Sequence, residues 1–293
     1  MGGSVKFAEY VTKWKIAARL KISDGWKIHQ DQILEQHILP FLANVPLRKI
    51  TPEIISTVIQ ASKDKGHSPN TTKKIYMVMS KIFKDAVQFF ELIERSPVKK
   101  HFHKPEIPPM ERPYLTYEQS LVVLEYVMHH PLFGDAVWIQ ILAGLRVSEV
   151  QGLKWEDIDF KDDLIIITRK YNKITGKMDG FTKSKTHHTV PLCGMLKRHL
   201  LPKKGEGFIC KSSTGGMMNH DGYKTWIRRL SKKLKLSITA SHGFRHSCAR
   251  LYKEFGATDE MIQQLLGHKS IISTQTYLHK DLKNLIDLAK KIA

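Results

Sequence analysis

Residues 96–113 read SPVKKHFHKPEIPPMERP and hold five of the twelve prolines of the 293-residue chain, at positions 97, 105, 108, 109 and 113. Proline has no amide proton and disfavours helix in the residue before it. A stretch this rich in proline, and basic as well, predicts an extended linker between two domains. The expected layout is a helical domain over 1–95, a linker over 96–113 and a second domain over 114–293.

Working back from the linker, the pattern is helical. Phe7, Tyr10, Val11, Trp14, Ala17 and Ala18 form a helix stripe. Ile28 to Leu39 predicts a second helix, stopped by Pro40. Thr51-Pro52-Glu53 is a helix start, a cap followed by proline in the first turn. Pro69 to Phe90 places Ile75, Met79, Ile82, Phe83 and Ala86 on one face. Lys73, Lys74, Lys81 and Lys84 lie mostly off that face, which makes it either a solvated face or one laid against DNA.

Working forward, the pattern is mixed. Thr116 and Gln119 make a capping box for a helix near 117–129, and Phe133 to Leu145 predicts another. Asp163 to Thr168 is a β-branched strand, Lys173 to Gly180 is turn-like, and Phe181 to Leu192 reads as a return strand. Helical segments fill most of 221–292. The expected class is mostly α with a small antiparallel β-sheet, that is, α+β.

The charge is one-sided, at +19, with 47 Lys and Arg against 28 Asp and Glu. Residues 1–100 hold 17 basic and 9 acidic side chains, and the rest hold 30 and 19, so the surplus is spread along the chain. A polyanion, with nucleic acid the first choice, is the expected partner. No run approaches the roughly 18 apolar residues of a membrane span, and the N-terminus has no apolar core of a secretory signal. Cys193, Cys210 and Cys248 form neither a disulfide framework nor a zinc pattern. His101/His103, His129/His130 and His187/His188 lack ligand-type partners at metal spacing. A reducing cytoplasm and no metal are the expectations.

Four local signals follow in order. ILAGLRVSEVQGLKWEDIDF (141–160) contains Arg146, with Glu149 one turn on. FTKSKTHHTVPL (181–192) contains Lys183 and Lys185, which share one strand face by period two. SHGFRHS (241–247) contains His242 and Arg245, an i, i+3 pair at a helix start. LLGHKSIISTQTYLH (265–279) contains His268 and Tyr277. Each alone has an ordinary structural explanation, such as an Arg146–Glu149 ion pair or a core tyrosine.

Together the four signals resemble the tyrosine recombinase family, which includes phage integrases, transposon integrases and Xer-type recombinases. AGLRVSE, HGFRHS and LGHKSIISTQTYLH resemble its most specific boxes, and the interval from His268 to Tyr277 fits its spacing. Residues 5–90 resemble its helical core-binding domain more weakly, through FAEYVTKW, HILPFL and LRKITPE. The resemblance implies a C-shaped clamp on double-stranded DNA and a covalent 3′-phosphotyrosine at Tyr277. Arg146 and Arg245 would hold the non-bridging phosphate oxygens, and His268 would add a hydrogen bond. His242 would serve as base, and Glu149 would orient its neighbours. Lys183, eight residues before Pro191, would protonate the leaving 5′-oxygen, with Lys185 the second choice. The phosphotyrosine keeps the bond energy of the phosphodiester, so no cofactor is implied.

The implied working form is a homotetramer around two duplexes, with accessory DNA-bending or directionality proteins as possible partners. The C-terminal stretch after Asp281 would dock on a neighbouring protomer, although its helical spacing fits packing on its own domain equally. Integration or excision of a mobile element is the expected role. A type IB topoisomerase shares this chemistry, but the helical N-terminal domain and the His268-to-Tyr277 interval favour a recombinase. A non-catalytic DNA-binding regulator would not need all six candidate groups.

Overall fold

The computed structural model of the chain describes residues 5–108, 112–180, 188–267 and 284–292. The chain divides into two compact units, Met1–Met110 and Glu111–Ala293, each with its own apolar core. Among the described residues, no helix is long and apolar enough to cross a membrane.

The first unit is built of helices α1 (Phe7–Ala17), α2 (Asp24–Ile33), α3 (Leu39–Leu42), α4 (Pro52–Asp64), α5 (Pro69–Gln88) and α6 (Lys100–His103). The α1 stripe buries Phe7, Tyr10, Val11 and Trp14. Two polar atoms on that stripe reach α5. The Tyr10 hydroxyl donates to the Ile82 carbonyl (2.8 Å), and Trp14 Nε1 donates to Asp85 Oδ2 (2.7 Å). Lys81 Nζ lies 2.6 Å from Asp85 Oδ1 and balances its charge. Of the lysines singled out on α5, Lys81 is thus held in an ion pair with this buried network. Lys74 is exposed and Lys73 half-buried.

Two features depart from the sequence pattern. The second helix starts at Asp24 and loosens into a π-helical turn, Leu34–Ile38, and Pro40 opens α3 rather than ending a helix. Pro40 has no N–H to offer the preceding turn. The wider turn, in which the Leu39 N–H bonds back to the Leu34 carbonyl, absorbs that lost bond. The first part of the proline-rich stretch is also folded. Buried His103 accepts from the Lys99 N–H at Nδ1 (2.9 Å) and meets the Ser56 hydroxyl at Nε2 (3.0 Å). This ties α6 to α4.

The second unit contains α7 (Tyr117–Val127), α8 (Gly134–Leu142) and α9 (Val147–Gly152). Strands β1 (Ile158–Asp159), β2 (Leu164–Ile167), β3 (Arg169–Asn172), β4 (Lys177–Gly180) and β5 (His188–Pro191) follow. Then come α10 (Gly194–Leu200), α11 (His220–Lys233), α12 (Ser241–Glu254) and α13 (Asp259–Leu265). Both halves of the Thr116/Gln119 capping box are formed. Helix α8 is buried at every residue but Asp135 and forms the centre of the unit. The class is α+β, mostly helical, with small antiparallel sheets.

One sheet has the order β1-β2-β5, all antiparallel, with Ile165 opposite Val190 and Ile167 opposite His188. Strands β3 and β4 form a separate hairpin. The sequence pattern predicts only a turn over 173–180, because Lys177 and Met178 are both exposed and give no period-two signal. Polar anchors hold the hairpin instead. Arg169 bonds to Asp157 (2.7 Å) and to the Gly152 carbonyl (3.2 Å), and Lys173 pairs with Asp221 (2.5 Å). A helical turn over 284–289 buries Leu285, Leu288 and Ala289 in the core of this same unit, and the Met195 N–H donates to the Ile292 carbonyl. In the single chain the C-terminal segment therefore packs on its own unit.

Asp85→Ala would strand the Trp14 indole N–H in the core. The expected loss is about 1–3 kcal/mol, seen as a lower midpoint for unfolding of the first unit, whereas Lys84→Ala at an exposed site leaves it unchanged.

Candidate active site

The site grows from the junction between α8 and α9. Gly144 takes φ +68°, a conformation that L side chains rarely adopt, and an added Cβ there would press on Leu266 and Cys248. Arg146 follows at the N-cap of α9, where the first backbone N–H groups of a helix lack intrahelical partners. Glu149 occupies the third helical position. Its Oε2 accepts from the Arg146 backbone N–H (2.8 Å), and its Oε1 accepts from Arg146 Nη1 (2.8 Å). The Arg146–Glu149 spacing seen in the sequence is thus both a helix cap and an ion pair.

Arg245 reaches the same carboxylate from α12, with Nη1 3.8 Å from Glu149 Oε2. Its guanidinium is buried and is fixed by two carbonyls. Nη1 donates to Gly144 (2.5 Å) and Nη2 to Leu266. Arg146 Nη2 also points at the Leu266 carbonyl (3.4 Å). One carboxylate and one carbonyl therefore hold two guanidiniums, and the excess charge is positive. Burial and the neighbouring Arg146 pull the Arg245 guanidinium down to about 10, so it remains charged at neutral pH. Arg146 keeps 36% of its side chain exposed and presents its outer edge to solvent.

His242 lies in the first turn of α12. Partial burial, then the charges of Arg245, Arg146 and Arg112, hold its imidazole below the usual histidine value. It is neutral at pH 7 and able to accept a proton. Between His242 and Arg245, only glycine fits at position 243, because a Cβ would lie 2.5 Å from Ile238 Cγ2.

The structure thus brings together Arg146, Glu149, His242 and Arg245. Lys183, Lys185, His268 and Tyr277 lie outside the described residues. Lys73, Lys74 and Lys81 belong to the first unit. A further residue, His188, reaches the same cluster. Its Nε2 lies 3.0 Å from the Leu265 carbonyl. Burial lowers its pKa, as do Arg245 and Arg146, while the Leu265 carbonyl and Glu149 oppose the shift. The sequence brings His188 forward only as half of a histidine pair weighed for metal, and gives no sign of this contact, because its partner lies 77 residues away.

Residues 132–284, more than half of the chain, match the model of the phage integrase family. Residues 6–61 match that of the phage integrase N-terminal SAM-like domain. The XerC tyrosine recombinase of Oceanobacillus iheyensis is 31% identical over 142 residues, 46% of this chain and 45% of the relative. The XerA tyrosine recombinase of Pyrococcus horikoshii is 32% identical over 157 residues, 51% of this chain and 52% of the relative. The chain thus spans about half the length of the curated relatives it matches. Among solved structures, the Tn1549 transposon integrase in complex with transposon right end DNA superposes with a TM-score of 0.77. It is 18% identical, and the match covers 96% of this chain and 99% of that one. The lambda integrase tetramer bound to a Holliday junction gives a TM-score of 0.69 at 21% identity, covering 93% of this chain and 80% of that one. At these identities the structural likeness concerns the fold.

Glu149→Gln keeps the shape of the bridging side chain and removes its charge. The expected loss for the second unit is about 3 kcal/mol, the low end for breaking a buried pair because Arg146 is partly solvated. A denaturant titration that leaves the midpoint unchanged would contradict this account of the cluster.

Proposed function

The chain belongs to the phage integrase family, and on that premise we propose that it is a site-specific tyrosine recombinase that cleaves and rejoins double-stranded DNA through Tyr277. What carries this reading is the pair of guanidiniums, Arg146 and Arg245, held by Glu149 and the Leu266 carbonyl. Holding them in advance suits a reaction in which charge builds on phosphate oxygens, since no reorganisation is needed as the charge develops. Arginine fits such oxygens with paired N–H donors.

In the proposed step, the Tyr277 Oη–phosphorus bond forms as the phosphorus–O5′ bond breaks. The phenol is protonated at neutral pH, with an ordinary pKa of about 10. Its proton passes to neutral His242, and Lys183, or Lys185 in its place, protonates the leaving 5′-oxygen. His268 adds a donor to the phosphate. A 5′-hydroxyl from a partner strand reverses the attack, so the bond energy is conserved and no cofactor is consumed.

The same reading assigns the first 95 residues to a core-type DNA-binding domain, in which Lys73 and Lys74 approach the phosphate backbone and Lys81, paired with Asp85, lies on the same helix. Residues 96–113 form the connection, whose first part packs on the DNA-binding domain through His103, and 114–293 form the catalytic domain. The working form is a homotetramer on paired sites, acting in the cytoplasm to integrate or excise a mobile element. The Xer recombinases and the integrase complexes among the relatives support this assignment.

Covalent capture tests the reading. A pool of singly nicked duplexes of randomised sequence is incubated with the protein, and the DNA that remains attached in detergent is selected and amplified. The selected duplex should form adduct with the wild-type chain, equally in chelator, and none with Tyr277→Phe. Arg146→Ala should slow the reaction by about 100-fold or more. Because His242 must be unprotonated to act, the rate should rise with pH and reach half its plateau below about pH 6.5, the ordinary imidazole value, since its own value lies lower. Undiminished adduct from Tyr277→Phe would overturn the proposal.

A further inference from the structure

We infer that His188 is a positioning residue for strand transfer, holding the 265–267 turn on which both arginines rest. The inference stands on the recombinase reading above.

Three successive residues of that turn have three different jobs. The Leu265 carbonyl meets His188 Nε2 at 3.0 Å. The Leu266 carbonyl receives both Arg146 and Arg245. Gly267, at φ +56°, lets the chain turn under the imidazole ring, where an added Cβ would sit 3.0–3.1 Å from His188 Cε1, Nε2 and Cδ2. The end of α13 is thus pressed against β5 by one hydrogen bond and one close ring contact. The carbonyls at the end of a helix have no intrahelical donor, so a side chain that supplies one fixes where the turn lies. The Leu266 oxygen, together with Glu149 and the Gly144 carbonyl, in turn sets the orientation of the two guanidiniums.

The residue type suits this task. A carbonyl only accepts, so Nε2 must carry the proton. In that tautomer a neutral imidazole donates without adding a third positive charge to a pocket where two guanidiniums already face one carboxylate. A lysine or arginine would donate as well, but it would add that charge. Strand pairing sets the direction of the ring. His188 stands opposite Ile167, on the same face as Val190 and Ile165 and toward the core. By sequence, β5 follows directly on the segment holding Lys183 and Lys185, and the turn runs directly into His268. One hydrogen bond therefore joins the two stretches of chain that lead to the remaining candidate groups.

An amide comparison tests the inference. The glutamine side-chain nitrogen extends about as far from the backbone as imidazole Nε2, whereas that of asparagine stops at the Nδ1 position. His188→Gln should therefore keep the adduct-forming rate within about threefold of wild type. His188→Asn and His188→Leu should each slow it on the order of 10- to 100-fold, the scale of a displaced catalytic group. Rates are measured in single turnover at saturating selected duplex. The Kd for that duplex should stay within about threefold in all three variants, since phosphate contacts elsewhere dominate affinity. A role in stability alone would lower the melting temperature without separating Gln from Asn in rate. Equal rates for Gln and Asn in folded protein, or a loss of affinity that matches the loss of rate, would overturn the inference. If the wild-type chain forms no adduct at all, the recombinase reading fails, and this inference fails with it.

Discussion

The second unit is organised around a single buried carboxylate. Glu149 caps α9, pairs with Arg146 and offsets the buried charge of Arg245. Removing charged groups from water is costly unless they are paired and hydrogen-bonded. Here the pairing draws α9, α12 and the end of α13 to one point, with carbonyls from Gly144 and Leu266 completing the set. Close packing at that point requires small residues, and glycines stand at 144, 243 and 267 where side chains would collide. The chemistry assigned to the site and the local fold thus depend on the same few contacts.

Features with a short-range cause were readable in the sequence. The Thr116/Gln119 capping box and the Arg146–Glu149 pair one turn apart have partners within a few residues, and the run of β2 shows itself by its own β-branched composition. His242 and Arg245 fall at a helix start as their spacing suggested. Features whose partners lie far along the chain were not readable. The β3–β4 hairpin has no apolar alternation, and its anchors come from Asp157 and Asp221. His188 owes its place to a carbonyl across the fold. The π-helical turn before Pro40 was hidden for a different reason. Proline signals a lost hydrogen bond, but not whether the helix stops or widens around the gap.

The first unit shows the same economy with different chemistry. An aromatic stripe on α1 carries two polar atoms, Tyr10 Oη and Trp14 Nε1, and α5 meets both. Lys81 illustrates how a basic residue on a plausible DNA-facing helix can be engaged structurally, since it neutralises the Asp85 that receives Trp14. Lys74, on the same helix, is exposed.

The account as a whole depends on Tyr277 being the group that becomes attached to DNA. The most direct measurement is peptide mapping by mass spectrometry of the trapped adduct after nuclease and protease digestion. The account predicts a nucleotide remnant on Tyr277, on the peptide that follows His268. A remnant on any other residue would contradict it.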